Sequence, residues 1–184
     1  VLVVTAPAFI FFSQKGPGAM HAPWLISLAA GIVVGGLSQF SRLCTVGGFR
    51  DLFLFKKSIL IFGYLAVLVG VFLVNISFGN FHLGFENQPI AHADGLWNFL
   101  GMALAGFCSV LLGGCPLRQL IMTGEGNSDA AVTVLGLAAG AAFAHNFGLA
   151  ASGAGPTLNG QIAVGVGFVV ALIIAILNTK RANA

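Results

Sequence analysis

The segment from residue 58 to 78, SILIFGYLAVLVGVFLVNISF, carries no charged side chain at any position. A helix rises ~1.5 Å per residue and so crosses ~30 Å of hydrocarbon in about 20 residues. Such a run is at its lowest free energy inside a bilayer, with each backbone N–H and C=O satisfied within the helix itself. Comparable runs recur along the chain, at about 1–12, 24–41, 95–112, 130–150 and 160–179. None shows the alternation of a membrane β-barrel. The composition agrees: 58% of the 184 residues are hydrophobic and 7% are charged, against ~25% charged in soluble domains. The expected fold class is therefore all-α, a polytopic membrane protein of six transmembrane helices. The breaks carry helix-stopping residues, at Gly16-Pro17-Gly18, Lys56-Lys57, Asn87 to Asp94, Gly124 to Asp129 and Ser152 to Asn159, and no soluble domain fits between them. Val1 opens inside an apolar run, which reads as a first helix cut short rather than a signal peptide, so a longer parent chain is expected.

The basic residues give the orientation. Arg42, Arg50, Lys56 and Lys57 lie between the second and third spans, Arg118 between the fourth and fifth, and Lys180 with Arg181 after the sixth. In a six-span zigzag these three breaks share one side, which the positive-inside rule assigns to the cytoplasm. The opposite side holds Lys15, Glu86, Asp94, His21, His82 and His92. The net charge of +3 is thus a topology signal. It implies a lipid bilayer as partner and no nucleic acid.

A weak internal repeat follows. Residues 24 to 55 run from an apolar helix into FSRLCTVGGFRDLFLF, and residues 96 to 127 from an apolar helix into LLGGCPLRQLIMTGEG. Each unit ends a span with a cysteine, adds an arginine, and continues for an apolar stretch too brief to cross, Phe49 to Phe55 and Leu117 to Met122. Seven helical residues cover only ~10 Å, so these stretches are expected as re-entrant or interrupted half-helices, or at the membrane surface. Pro116 suits the first turn of such a helix. Gly47-Gly48 and Gly113-Gly114 are expected to bend the backbone beside each cysteine. A thiol at a helix N-terminus meets the positive end of the dipole and unpaired N–H groups, where an anion is stabilised.

The motifs SRLCTVGGFRD and GGCPLRQL…GEG, with GLWNFLGMALAG, AHNFGLA and the 71 positions separating Cys44 from Cys115, resemble the YeeE/YedE sulfur-transport family of bacterial membrane proteins. The likeness covers nearly the whole chain and is nearest to members associated with selenium metabolism. It implies uptake of thiosulfate or a related reduced sulfur or selenium species across the bacterial cytoplasmic (inner) membrane, past cysteines on a narrow central path. It also implies that residues 1–184 form one module, where larger members join two. Cys44 and Cys115 take the substrate-contact role by this resemblance. Cys108 has no such warrant. It lies seven residues before Cys115, so on a continuous helix both would face one way about 10 Å apart, as an extra relay thiol or as packing. Arg50 and Arg118 are candidates for attracting the anion or bracing the half-helices, the alternative being helix ends that snorkel to headgroups.

Other polar residues receive structural expectations. Asp51 is expected in a local ion pair, Glu125 in a loop contact, and His145-Asn146 in an interhelical hydrogen bond or a functional pair. Asn98 is expected to start or cap the fourth span, with His92 and Asp94 wet outside it. Gly31 with Gly35, and Gly136 with Gly140, form small-xxx-small patterns that permit close helix approach.

Thiols suit this cargo. The terminal sulfur of thiosulfate is large, soft and polarizable, and several weak S–H sites in series hold an ion without trapping it. Two other classes stand beside transport: a membrane thiol-redox or sulfur-transfer protein exchanging Cys44 and Cys115, and an accessory subunit that conducts nothing alone. There is no C-x-x-C, no quinone or haem motif, and no zinc-ligand spacing, so no cofactor or metal is expected and the reading is not that of an enzyme. A second module or a soluble sulfur-carrier protein is the partner left open. The separation of the two sulfurs discriminates: an exchanging pair must reach disulfide geometry, with Cα atoms ~5.5 Å apart, whereas pathway sites can lie farther apart.

Overall fold

The computed structural model describes residues 22–84 and 92–182. The first expected span, and with it Lys15, Gly16-Pro17-Gly18, His21 and Glu86, lies outside the described residues. Seven helices are described: α1 Trp24–Ser41, α2 Thr45–Phe55, α3 Ile59–Ser77, α4 Gly95–Leu111, α5 Pro116–Gly124, α6 Ser128–Asn146 and α7 Leu158–Ala182. Five segments are long and apolar enough to cross a membrane, Trp24–Phe55, Ile59–Ser77, Gly95–Gly124, Ser128–Asn146 and Leu158–Thr179. The chain is a multi-pass α-helical membrane protein, as its apolar runs imply.

The chain divides after Ser41 into two compact units. The described part of the first is α1, an uninterrupted apolar helix. The second contains α2 to α7. Here α2 packs on α3, α5 on α6, α4 on α7, and α2 also meets α4. Outward apolar side chains such as Leu65, Val69 and Leu73 remain about half exposed, the state of a helix whose solvent is lipid.

Both short helices are longer than the apolar stretches that announced them, because each begins directly after its cysteine. Cys44 caps α2 and Cys115 caps α5, both in extended backbone. Pro116 occupies the first turn of α5, as expected. The second bend falls at Gly113, as expected, whereas the first falls at Arg42 instead of Gly47-Gly48. Arg42 and Gly113 hold positive φ values of 51° and 75°, at positions that correspond across the repeat. At α4 the Leu112 N–H bonds to Cys108 O, Gly113 N–H to Val110 O and Gly114 N–H to Ser109 O. This is a glycine-terminated helix end. Gly47 and Gly48 lie inside α2 instead of at a bend. Gly48 is buried at the α2–α3 contact, where a Cβ would come 3.5 Å from Ile61 Cδ1 and 3.6 Å from Leu60 Cβ.

Helix ends explain the remaining boundary shifts. α6 starts at Ser128 because the Asn127 side chain accepts from the Ala130 N–H at 2.9 Å, and Ala130 is 1% exposed. It stops short of residue 150 because Gly148 turns left-handed, φ 62°. The Thr157 hydroxyl donates to Gly148 O at 2.7 Å and accepts from the Gly160 N–H at 2.9 Å, which starts α7 early. Asp94, not Asn98, caps α4 through the Trp97 N–H at 3.4 Å. Asn98 instead donates to His92 O at 3.1 Å.

The small-xxx-small patterns do not mark the close contacts. A Cβ on Gly31, Gly35, Gly136 or Gly140 would meet no described atom within 4 Å. The tight approach between two helices is at Gly167, where a Cβ would come 2.7 Å from Leu104 Cδ2 on α4. Gly167→Ala is expected to cost about 1 kcal/mol, at the low end of overpacking because Leu104 can rotate away. Thermal unfolding in detergent, with Gly136→Ala as the unaffected control, measures it.

Candidate functional site

The two cysteine motifs converge. Cys115 is buried, at 7% exposure, and its sulfur faces the backbone N–H groups of Leu117 and Arg118 on its own helix. From the other repeat it faces the Thr45 N–H and the Cys44 thiol. Cys44 Sγ also accepts from the Gly47 N–H at 3.3 Å, so it serves as the N-cap of α2. The N-terminal turns of α2 and α5 thus point their free N–H groups toward one spot occupied by two thiols. Both sulfurs are free rather than bonded.

The geometry follows from sequence through simple steps. A left-handed residue ends the preceding helix, one residue later the chain is extended, and the cysteine then starts a new helix. Because this happens twice, and because α2 meets α4, the two caps are brought together. The positive helix ends favour negative charge between them. The thiols add a soft contact that oxygen ligands lack.

Gln119 supports the break in the α4–α5 arm and was not singled out among the sequence candidates. It is 4% exposed, and its side-chain amide donates to Leu112 O at 3.0 Å. That carbonyl has lost its helical partner to the bend, and the glutamine replaces it. Beside it, Gly114 is buried, and a Cβ there would come 3.4 Å from Arg118 Cγ and 3.6 Å from Gln119 Nε2. A polar amide in the middle of GGCPLRQL was the available signal. Ser109, 8% exposed, bonds back to Ala105 O at 2.8 Å within α4.

The two arginines are not equivalent. Arg50 is 59% exposed and pairs with Asp51 at 2.9 Å, the local ion pair expected for that aspartate. Arg118 is 23% exposed and lies 3.9 Å from Glu125. Its Nη1 atom is buried without a hydrogen-bond partner. Such a nitrogen is costly in an apolar setting and calls for an acceptor. Arg118 also contributes its backbone N–H to the Cys115 sulfur, whereas Arg50 sits six residues beyond Cys44. Arg50 lines a hollow of about 490 Å³ between α2 and α4 that adjoins the thiols, with Thr45, Gly47, Phe53, Gly106 and Gly113. Neither motif cysteine lines it.

Cys108 is half-buried on α4 and is not among the groups facing the Cys115 sulfur. The continuous helix that would align it with Cys115 does not exist, since the bend at 112–115 intervenes. His145 is exposed in the last turn of α6. Asn146 bonds to Ala142 O in its own helix at 2.9 Å, so the expected interhelical bond is replaced by an intrahelical one. Among the described residues no group of three or more His, Cys, Asp or Glu could hold a metal.

These features define a class: a multi-pass helical membrane protein in which two interrupted repeats bring a pair of thiols and two helix N-termini to one place. The chain belongs to the sulphur transport family, whose model matches residues 40–181, a range that takes in both cysteine motifs and α2 to α7. Membership supports a role in sulfur transport. No curated protein and no solved structure matches the chain.

Proposed function

We propose that this chain, 1–184, is a single module that carries a reduced sulfur anion such as thiosulfate inward across the bacterial cytoplasmic membrane. Cys44 and Cys115 contact the anion in passing. The observation that carries this reading is the meeting of two free thiols at two helix N-termini, one from each repeat. With Lys56-Lys57 and the Lys180-Arg181 end in the cytoplasm, α2 ends on that side at Lys56 and α5 at Glu125, while Arg42, Arg50 and Arg118 fall within the spans Trp24–Phe55 and Gly95–Gly124. Eleven and nine helical residues span about 16 and 14 Å. If both helices run along the membrane normal, each cysteine sits near the middle of ~30 Å of hydrocarbon.

At that depth an anion needs compensation, and the dipoles of α2 and α5 and the Arg118 guanidinium supply it. Arg118 is the better placed of the two arginines, because Arg50 is compensated by Asp51. Sulfate presents only hard oxygens to this site. Thiosulfate presents a soft sulfur that thiols can contact, so selection rests on the thiols and attraction on the helix ends. A selenium analogue shares the charge and the softness.

The Cys44 thiol lying at the Cys115 sulfur is the observation that favours a second reading, as a sulfur-transfer protein. Serine variants separate the two. Serine keeps a hydrogen-bond donor and loses redox chemistry, so Cys44→Ser is expected to retain measurable uptake in a transporter and none in an exchanger. The primary test is uptake of sulfur-labelled thiosulfate by membrane vesicles containing the protein. Uptake competed by thiosulfate and selenium analogues but not by sulfate supports the transport reading. No uptake above empty vesicles defeats it.

A further inference from the structure

Two unbonded thiols that face each other from helix-cap positions make an oxidisable pair as well as a ligand. Cys44 and Cys115 each lie in extended backbone just outside a helix, with a left-handed residue two positions before. Cys115 is buried and Cys44 half-buried, and an oxidant that is itself an anion is drawn to the two helix ends that meet there.

We propose that Cys44 and Cys115 form a disulfide when the site is reached by a polythionate, the oxidised dimer of a thiosulfate cargo, and that this bond closes the path. In the first step the deprotonated sulfur of one cysteine attacks an inner sulfur of tetrathionate. The central S–S bond breaks, one thiosulfate leaves, and a cysteinyl thiosulfonate remains. The second deprotonated cysteine then attacks the cysteinyl sulfur and expels the second thiosulfate. Two thiols lose two protons and two electrons in total, and tetrathionate gains those electrons to become two thiosulfate ions. Attack on the cysteinyl sulfur requires close approach of the partner thiol, which the facing caps provide. Cys108, which does not face the pair, stays reduced.

The closed state has a direct consequence for the site. Each sulfur that contacted the anion is now bonded to the other, and neither retains an S–H to offer. Reduction restores both. The disulfide itself does not depend on the transport reading; its effect on uptake does.

Membrane vesicles containing the reduced protein are treated with tetrathionate, blocked with N-ethylmaleimide, and digested for mass spectrometry. The expected result is a disulfide-linked peptide joining residues 44 and 115, alkylated Cys108, and thiosulfate uptake lost to background and recovered with dithiothreitol. In Cys115→Ser the reaction stops at the first step, leaving Cys44 as the thiosulfonate adduct. Recovery of alkylated Cys44 and Cys115 after treatment overturns the proposal, as does a link through Cys108. The linked peptide with unchanged uptake overturns the closure. A reduced protein that takes up no thiosulfate but yields the linked peptide supports the disulfide and defeats the transport reading.

Discussion

Cys115→Ala is expected to lower thiosulfate uptake, and growth that depends on it, by at least about tenfold, the effect of losing ~1.4 kcal/mol or more at a contact. The substitution removes the one sulfur that faces both repeats, while the N–H groups of Leu117, Arg118 and Thr45 remain to attract anions in general. The variant should therefore lose preference for thiosulfate over sulfate along with rate. Cys44→Ala should act likewise, but with a stability component, because Cys44 caps the Gly47 N–H and removing a cap costs about 0.5–2 kcal/mol. Membrane abundance measured beside uptake separates the two effects. Cys108→Ala should leave uptake nearly unchanged. Normal uptake in Cys115→Ala, with normal abundance, would falsify the assignment of the path to the paired thiols.

The second large effect is expected at Gln119. Gln119→Leu keeps the volume and removes the amide that bonds Leu112 O. A carbonyl left without a donor costs about 1–3 kcal/mol where water cannot reach it, and lipid cannot replace the lost donor. The chain can relieve this only by moving the bend that positions Cys115. The variant is expected to unfold at lower temperature in detergent and to lose thiosulfate uptake in proportion to the displacement. Gln119→Glu is a useful comparison, since a protonated acid restores a donor and an ionised one does not. Wild-type stability and uptake in Gln119→Leu would remove the glutamine from the account.

The membrane spans were legible because hydrocarbon imposes a simple rule: a helix of fixed rise must cross a fixed thickness. The run at 58–78 obeys it with no competing signal. Cap chemistry was less legible. The short helices looked like Phe49 to Phe55 and Leu117 to Met122 because hydropathy registers apolar side chains, while helices begin where backbone donors find acceptors. Cys44 as an N-cap lies outside the usual Ser, Thr, Asp and Asn preference, so the start of α2 was hidden in plain residues. The Gly47-Gly48 pair misled for a related reason. Glycine serves both at left-handed turns and at close packing, and only backbone angles tell Gly113 from Gly48. Convergence of Cys44 and Cys115 on one path was implied by the family resemblance of their motifs, the weak repeat giving only their like placement after a span. The inequality of Arg50 and Arg118 was not, because it depends on Asp51 lying one residue from the first and Glu125 seven from the second.

One backbone angle separates the halves more deeply than any side chain. At the elbow before Cys115 the left-handed residue is glycine, while at the matching elbow before Cys44 it is Arg42, for which that conformation is unfavourable by roughly 1–2 kcal/mol. The two arms are therefore duplicates in outline only. The backbone before the first thiol carries a standing conformational cost, and the backbone before the second carries none.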